Sequence, residues 1–478
     1  MSIVRNAGYN LAASIVPIVL SLVILPLYIH AIGEARYGMV ALIGALVGFF
    51  GVFDLGLSVA AAQRMAAAPE GDLDARRRIF WTAGAINAAM GVAGGLIILP
   101  VAWFYVGKGL NVGPDLLPEI KASIWWLALA LPVALLTGVL RGALQGSGRF
   151  AELNLINIVV GSTSQFMPLL AAWWISPSLT VVLPALYLTR VLTMACYAWV
   201  IARRVLDSWL PHFDRSRVKD LLSFGGWVTI SGLLSPLMSS LDRYFIGSFA
   251  GLKAVSYYSV PYQLAERTTI LPTALVSALF PRVAAAHSDE AHRLGVRGLR
   301  AIAAVMGPLM VGGIVVLHPL LKLWIGAAFA GESALCGQIL LMGFWWNALG
   351  MGCYVWLHAV GRVRLVTVAH AIEAVPYFIA LVLGLKLFGL PGAAAAFALR
   401  VGADAVLLGR FAGLGGEVVR LSALGAIAFA AAQWASLPLA GYGWGDAALG
   451  LIPIAGVSLL SLAWLWGERG ALLALVRR

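Results

Sequence analysis

Charge is scarce in this sequence: only 11% of its 478 residues are Asp, Glu, Lys or Arg, where a soluble globular domain carries about a quarter. With 61% hydrophobic residues and a mean hydropathy of +0.91, that scarcity excludes a soluble enzyme and a disordered chain alike. Strict alternation of apolar and polar residues is missing from the long runs, which excludes a transmembrane β-barrel. Cysteine is nearly absent. Cys196, Cys336 and Cys353 lie inside apolar runs with no C-x-x-C spacing, so no disulfide framework and no zinc site are expected. There is no G-x-x-x-x-G-K-[ST] phosphate loop and hence no ATP motor. Long polar loops are missing as well, none between apolar runs exceeding roughly 20 residues, too few for a folded domain outside the membrane.

What is present is a succession of apolar runs, each long enough to cross a roughly 30 Å hydrocarbon core as a helix. Spans are predicted near 6–31, 37–63, 80–106, 121–144, 151–175, 178–202, 221–248, 255–281, 296–320, 333–358, 365–388, 391–411, 420–438 and 447–466. The fold class is therefore an all-α polytopic membrane protein of about fourteen helices. With the N-terminus inside, arginine clusters such as Arg76, Arg77 and Arg78 or Arg203 and Arg204 fall in inner loops. The outer loops keep only Arg36, Lys108, Lys121, Lys253, Lys322 and Lys386. That asymmetry puts both termini in the cytoplasm and explains the net charge of +12 by topology, with no need for nucleic acid. The first run is longer than a signal-peptide core and reads as an uncleaved helix.

The halves of the chain echo each other. LPLYIHAIGEARYG from Leu25 resembles LDRYFIGSFAGLKAVSYY from Leu241, and YLTRVL from Tyr187 resembles FALRVG from Phe397, in the same order. The pattern is that of an internal duplication. Six spans per half is an even number, so the repeats are parallel, related by an axis along the membrane normal. The predicted domains are a six-helix lobe over 1–206, a cytoplasmic linker over 207–220, a second six-helix lobe over 221–412, and an extra helix pair with a cytoplasmic tail over 413–478. The linker, DSWLPHFDRSRVKD, mixes Trp209, Leu210 and Phe213 with charges and reads as a surface segment.

RNAGYN at Arg5, GEARYG at Gly33, DLGL at Asp54, RGALQGSGRFAELN at Arg141, LDRYFIG at Leu241, the stretch from Tyr258 ending LFPR, and GLPGAAAAFALR at Gly389 carry a resemblance in their order and spacing. The chain resembles the polysaccharide transporter (oligosaccharide flippase) family of the MATE-like multidrug/oligosaccharidyl-lipid/polysaccharide exporter superfamily, over residues 5 to about 410. The resemblance implies two lobes facing a central cavity and movement of polyprenyl-diphosphate-linked oligosaccharides from the inner to the outer leaflet of a bacterial inner membrane. It implies no cofactor and no catalytic residue; the partners would be the lipid-linked substrate, membrane lipids, H+ or Na+, and polysaccharide assembly proteins.

Ionisable residues inside spans are costly and mark functional candidates. Arg243 and Arg267 lie in the seventh and eighth spans, which line the cavity in the resembled family, and guanidinium forks suit diphosphate oxygens. The alternative is that Asp242 and Glu266, their sequence neighbours, neutralise them. If the arginines are free, Asp242 and Glu266 become candidates for ion coupling. Arg190 and Arg400 occupy corresponding places in the sixth and twelfth spans and join the substrate-binding set. Arg400 has Asp404 one turn on, which predicts a structural ion pair; Arg190 has no such local acid. Asp54 is either a cavity-facing ion-coupling carboxylate or a partner in a helix–helix hydrogen bond. His370 and Glu373, three apart, form either a proton relay or a pair that satisfies itself. Three rival readings remain: a MATE-type drug or cation antiporter, a lipid II flippase, and a polyprenyl-linked glycan polymerase or ligase.

Overall fold

Without water to take up N–H and C=O groups, apolar runs of this length fold as helices. The computed structural model describes residues 3–69, 72–206, 208–218, 234–286 and 288–441, together with 455, 456, 458 and 459. Among these there is no strand, and nine helices are long and apolar enough to cross a bilayer. The chain divides into two compact units, Met1–Val255 and Ser256–Arg478. The last expected span, 447–466, lies almost wholly outside the described residues, as do positions 207, 219 and 220 of the linker.

The first unit contains α1 (Ile3–Ile32), α2 (Glu34–Phe53), α3 (Leu57–Ala67), α4 (Leu73–Phe104), α5 (Leu117–Gly146), α6 (Phe150–Trp174), α7 (Leu179–Arg204) and α8 (Leu234–Phe249). α4 runs on into a π-helical turn, Tyr105–Gly109. α5 is the hub, packed against α4, α7 and α3. Its sequence explains the closeness to α3: Gly138, Gly142 and Gly146 recur every fourth residue, and a Cβ on Gly142 would strike the Ser58 carbonyl. Such small-residue stripes let helix backbones touch in a membrane, where the hydrophobic effect adds little between helices. Leu57, Met65, Phe80, Leu144, Tyr197 and Ile201 fill the core beside this contact.

The second unit holds the rest of α9 (Gly251–Arg267), then α10 (Ile270–Ala285), α11 (Ser288–Trp324), α12 (Ala327–Ala359), α13 (Val363–Phe411) and α14 (Gly415–Gly441). α13 is a hairpin of two arms broken at Gly389, whose φ of 62° and ψ of −141° are closed to other residues. Gly384 and Gly392 face each other across the hairpin so closely that a Cβ on either would strike the other's carbonyl. α12 packs along α13, and α14 is tied to α11 by an Arg300–Glu417 ion pair at 2.8 Å.

The predicted spans 37–63 and 255–281 each arrive as two helical pieces: α2 and α3 break at Asp54–Gly56, and α9 and α10 break at Thr268–Thr269. The turns that precede α2 and α9 match too, each containing one left-handed glycine, Gly33 and Gly251, both with φ of 83°. These shared features fall at the offset of the sequence repeat.

The described part of the linker, 208–218, lies on the start of α4. Trp209 sits 5.3 Å from Trp81 and 5.7 Å from Phe80, and the Asp214 N–H donates to Thr82 Oγ1 at 2.9 Å. The Ser216 hydroxyl, hydrogen-bonded to Asp214, holds that carboxyl below its usual range, and Arg217 adds to the effect.

Candidate functional site

In the second unit the hairpin of α13 gathers four ionisable groups. Arg400 Nη1 stands 3.6 Å from Glu373 Oε1, and His370 Nε2 stands 3.6 Å from Asp404 Oδ1. The side chains of Glu373 and Arg400 are 4% and 9% exposed, so both charges sit in a dry environment. Arg400 also lies over the rings of Tyr377 and Phe397, at 5.3 and 5.5 Å, a cation–π arrangement that partly replaces lost hydration. Both oxygens of Glu373, Asp404 Oδ1 and Arg400 Nε are buried without a hydrogen bond to any described residue.

This corrects two expectations. Arg400 does not pair with Asp404 one turn along its own arm, and His370 does not pair with Glu373; each reaches across the hairpin instead. The physical reason is the glycine contact, which brings the arms to backbone distance and makes the cross-arm neighbour nearer than the one on the same arm. His370, Glu373 and Asp404 each offer one ligand atom, all within 4.8 Å of one another, and Arg400 already stands beside them.

In the first unit Asp54 ends α2 at the break. Leu55 and Gly56 follow in left-handed conformation, with φ of 47° and 68°. The Asp54 carboxylate accepts the Ser58 N–H at 3.2 Å, the Ser58 hydroxyl at 2.7 Å and the Asn87 amide at 2.8 Å. It thus covers backbone donors at the start of α3 and ties them to α4, the work of a helix cap. Asn87 is fully buried, and its Oδ1 has no partner. Sequence reading passed over Asn87, although a lone amide in the apolar run of α4 was a signal available to it.

Asp242 is fully buried and Arg243 nearly so, at 9% exposure. The Asp242 carboxylate accepts the backbone N–H of Arg243 at 2.7 Å. Arg190, on α7, is half-buried and makes no hydrogen bond, ion pair or ring contact with any described residue. Glu266 and Arg267 close α9 in the second unit, immediately before the Thr268–Thr269 break, and both are exposed. A cation there also suits the negative end of the α9 dipole. Of the expected candidates, Asp54, Glu266 and Arg267 flank the helix breaks, Glu373 and Arg400 sit in the hairpin of α13, Asp242 and Arg243 lie on α8, and Arg190 stands on α7.

Residues 3–287 match a protein family described as "Polysaccharide biosynthesis protein". An O-antigen transporter of Shigella flexneri is 26% identical over 409 residues, which cover 85% of this chain and 97% of that protein. Among solved structures, the lipid II flippase MurJ in an inward closed conformation is similar with a TM-score of 0.73 at 12% identity, covering 98% of this chain and 100% of that one. An inward-facing multidrug resistance MATE transporter of the MOP superfamily is similar with a TM-score of 0.71 at 14% identity, covering 89% and 96%. At these identities the two structures establish the fold.

Proposed function

The chain belongs to the polysaccharide biosynthesis protein family, and from that premise we propose that it is a flippase. It would move a polyprenyl-diphosphate-linked oligosaccharide, undecaprenyl in a bacterium, from the inner to the outer leaflet of the inner membrane for cell-surface polysaccharide. The relationship to the Shigella O-antigen transporter, matched over 97% of its length, carries this reading. The diphosphate and sugars of such a cargo need a polar path through the bilayer, while the tail stays in lipid; no bond is made or broken.

In this proposal two six-helix lobes, 1–206 and 221–412, work by alternating access, with the helix pair of 413–478 beside them and both termini in the cytoplasm. Arg190 is the foremost diphosphate ligand, because a guanidinium in an apolar helix with no counter-charge among the described residues gains most from an anion. Arg243 and Arg267 are the further candidates for binding the diphosphate. Arg400 has a different duty, since Glu373 holds it.

The α13 cluster is the proposed coupling site. With both carboxylates ionised, Arg400 charged and His370 neutral, the cluster has one net negative charge in a dry place. Such a charge is expensive, and binding one cation removes it. A proton fits better than Na+, because Arg400 already occupies one side of Glu373 and a proton needs no coordination shell.

Deleting the gene from its host is expected to abolish surface polysaccharide and to pile up the lipid-linked oligosaccharide on the inner leaflet. Unchanged surface polysaccharide with new sensitivity to cationic drugs would move the assignment to the drug-antiporter reading.

A further inference from the structure

The first unit contains a cavity of about 460 Å³ between α2, α4 with its π-helical turn, α5, α7 and α8. Leu42, Ile98, Val101, Ile124, Leu127 and Leu183 typify its wall. The hydroxyls at the wall are already committed: Tyr105 donates to the Tyr244 carbonyl at 2.7 Å, Tyr244 to the Leu42 carbonyl at 3.0 Å, and Ser123 to the Glu119 carbonyl at 2.8 Å. Water in such a space would find no partners, and an apolar void of this size favours hydrocarbon. Val101, at 61% exposure, opens the wall to the surroundings of the helices.

Most of the lining residues lie toward one end of their helix, the beginnings of α2, α5 and α7 and the ends of α4 and α8, with Phe53 at the far end of α2 the exception. With the arginine-rich loops inside, all these ends are on the outer side. Of the few cations that the outer loops keep, three stand within three residues of the lining: Arg36 before Met39, Lys108 after Val106, and Lys121 after Ile120. Arg36 is engaged by Glu119 at 3.0 Å, whereas Lys108 lies only over the Phe104 ring, at 5.6 Å, and Lys121 has no ion pair among the described residues.

An apolar chamber whose outer rim has ammonium groups without an ion pair among the described residues matches a lipid that has one hydrocarbon chain and one phosphate head. We infer that this cavity binds the polyprenyl chain of a lipid phosphate in the outer half of the membrane, with Lys108 and Lys121 beside the phosphate. The inference rests on the flippase reading for the choice of a polyprenyl chain. It gives the first lobe a seat for the cargo's tail on the side of arrival, apart from the arginines that meet the diphosphate during transfer.

The test is photolabelling of the full chain in phosphatidylcholine nanodiscs. One probe is a polyprenyl monophosphate with a diazirine on its chain; the second is the corresponding polyprenol, and the third a phosphatidylglycerol labelled on an acyl chain. Adducts of the first probe are expected on peptides containing Ile98–Val106 and Ile120–Leu127, erased by excess unlabelled polyprenyl phosphate and not by excess phosphatidylglycerol. Ala102→Trp, whose indole displaces several methylenes of chain from the chamber, is expected to lower this labelling at least about tenfold. Lys108→Ala with Lys121→Ala is expected to abolish the preference for the phosphate over the alcohol. Adducts spread evenly over the lipid-facing helices, or equal labelling by phosphatidylglycerol, would overturn the inference, and the competition result decides even if Ala102→Trp fails to fold. Leaflet exchange measured on the same protein reconstituted in sealed proteoliposomes separates the two readings. Flux without cavity labelling removes the tail site and leaves the flippase, and cavity labelling without flux does the reverse.

Discussion

An arginine within an apolar helix is tolerated when something repays its desolvation, and the two that correspond in the halves of this chain are repaid differently. Arg400 has Glu373 and two aromatic rings. Arg190 has no partner among the described residues, and in the proposed function the cargo's diphosphate supplies one. Hydrogen bonds to charged groups contribute roughly 1.5–3 kcal/mol, so Arg190→Ala is expected to slow transport roughly tenfold to a hundredfold with the amount of folded protein unchanged. Arg190→Lys should recover part of the rate, as it keeps the charge and loses the fork. Flux equal to wild type in Arg190→Ala would take the phosphate away from this residue. Glu373→Gln fixes the α13 cluster in its neutral state, and its expected phenotype is cargo exchange that no longer responds to an imposed pH gradient. A variant that keeps the full response would place coupling elsewhere.

At the scale of elements, the break between α2 and α3 is held by Asp54, whose carboxylate covers the donors of Ser58 and binds Asn87. Asp54→Ala should cost about 0.5–2 kcal/mol, the range for a lost cap, read as a lower melting temperature in detergent; Asp54→Asn should restore much of it. An unchanged melting temperature for Asp54→Ala would deny the capping role. The glycine stripe of α5 gives a sharper contrast. Gly142→Val drives a side chain into the Ser58 carbonyl and is expected to destabilise by about 1–3 kcal/mol, as overpacking does. Gly84→Ala, where a Cβ meets nothing within 4 Å, should be neutral or stabilising by up to about 1 kcal/mol. The all-helical, membrane-spanning character of the chain was legible in the sequence because hydropathy follows burial in lipid directly. The breaks were not: Asp54-Leu55-Gly56 and Thr268-Thr269 are short interruptions that hydropathy averages away. Likewise Arg190 stood out as a charge without a local acid. The pairing of Arg400 was misread because helix spacing describes one arm, whereas the contact of Gly384 with Gly392 decides which groups face each other across two.

For the molecule as a whole, a broken helix recurs at matching places of the sequence echo, and the chemistry differs between the units. The first has in Arg190 a cation without a partner among the described residues, and an apolar chamber; the second has a buried cluster of two carboxyl groups, an arginine and a histidine. In the proposed carrier the first unit would meet the anionic cargo and the second would take up the coupling ion. The same fold in a drug antiporter would have to accept a cation, which Arg190 disfavours. The decisive measurement is leaflet exchange in proteoliposomes: a fluorescent polyprenyl-diphosphate oligosaccharide, loaded on one side, is followed with an impermeant quencher under an imposed pH gradient. Exchange that exceeds empty liposomes, responds to the gradient and falls at least tenfold in Arg190→Ala is the expected result. Exchange no faster than in empty liposomes, from folded protein with its matched cargo, would contradict the flippase assignment outright.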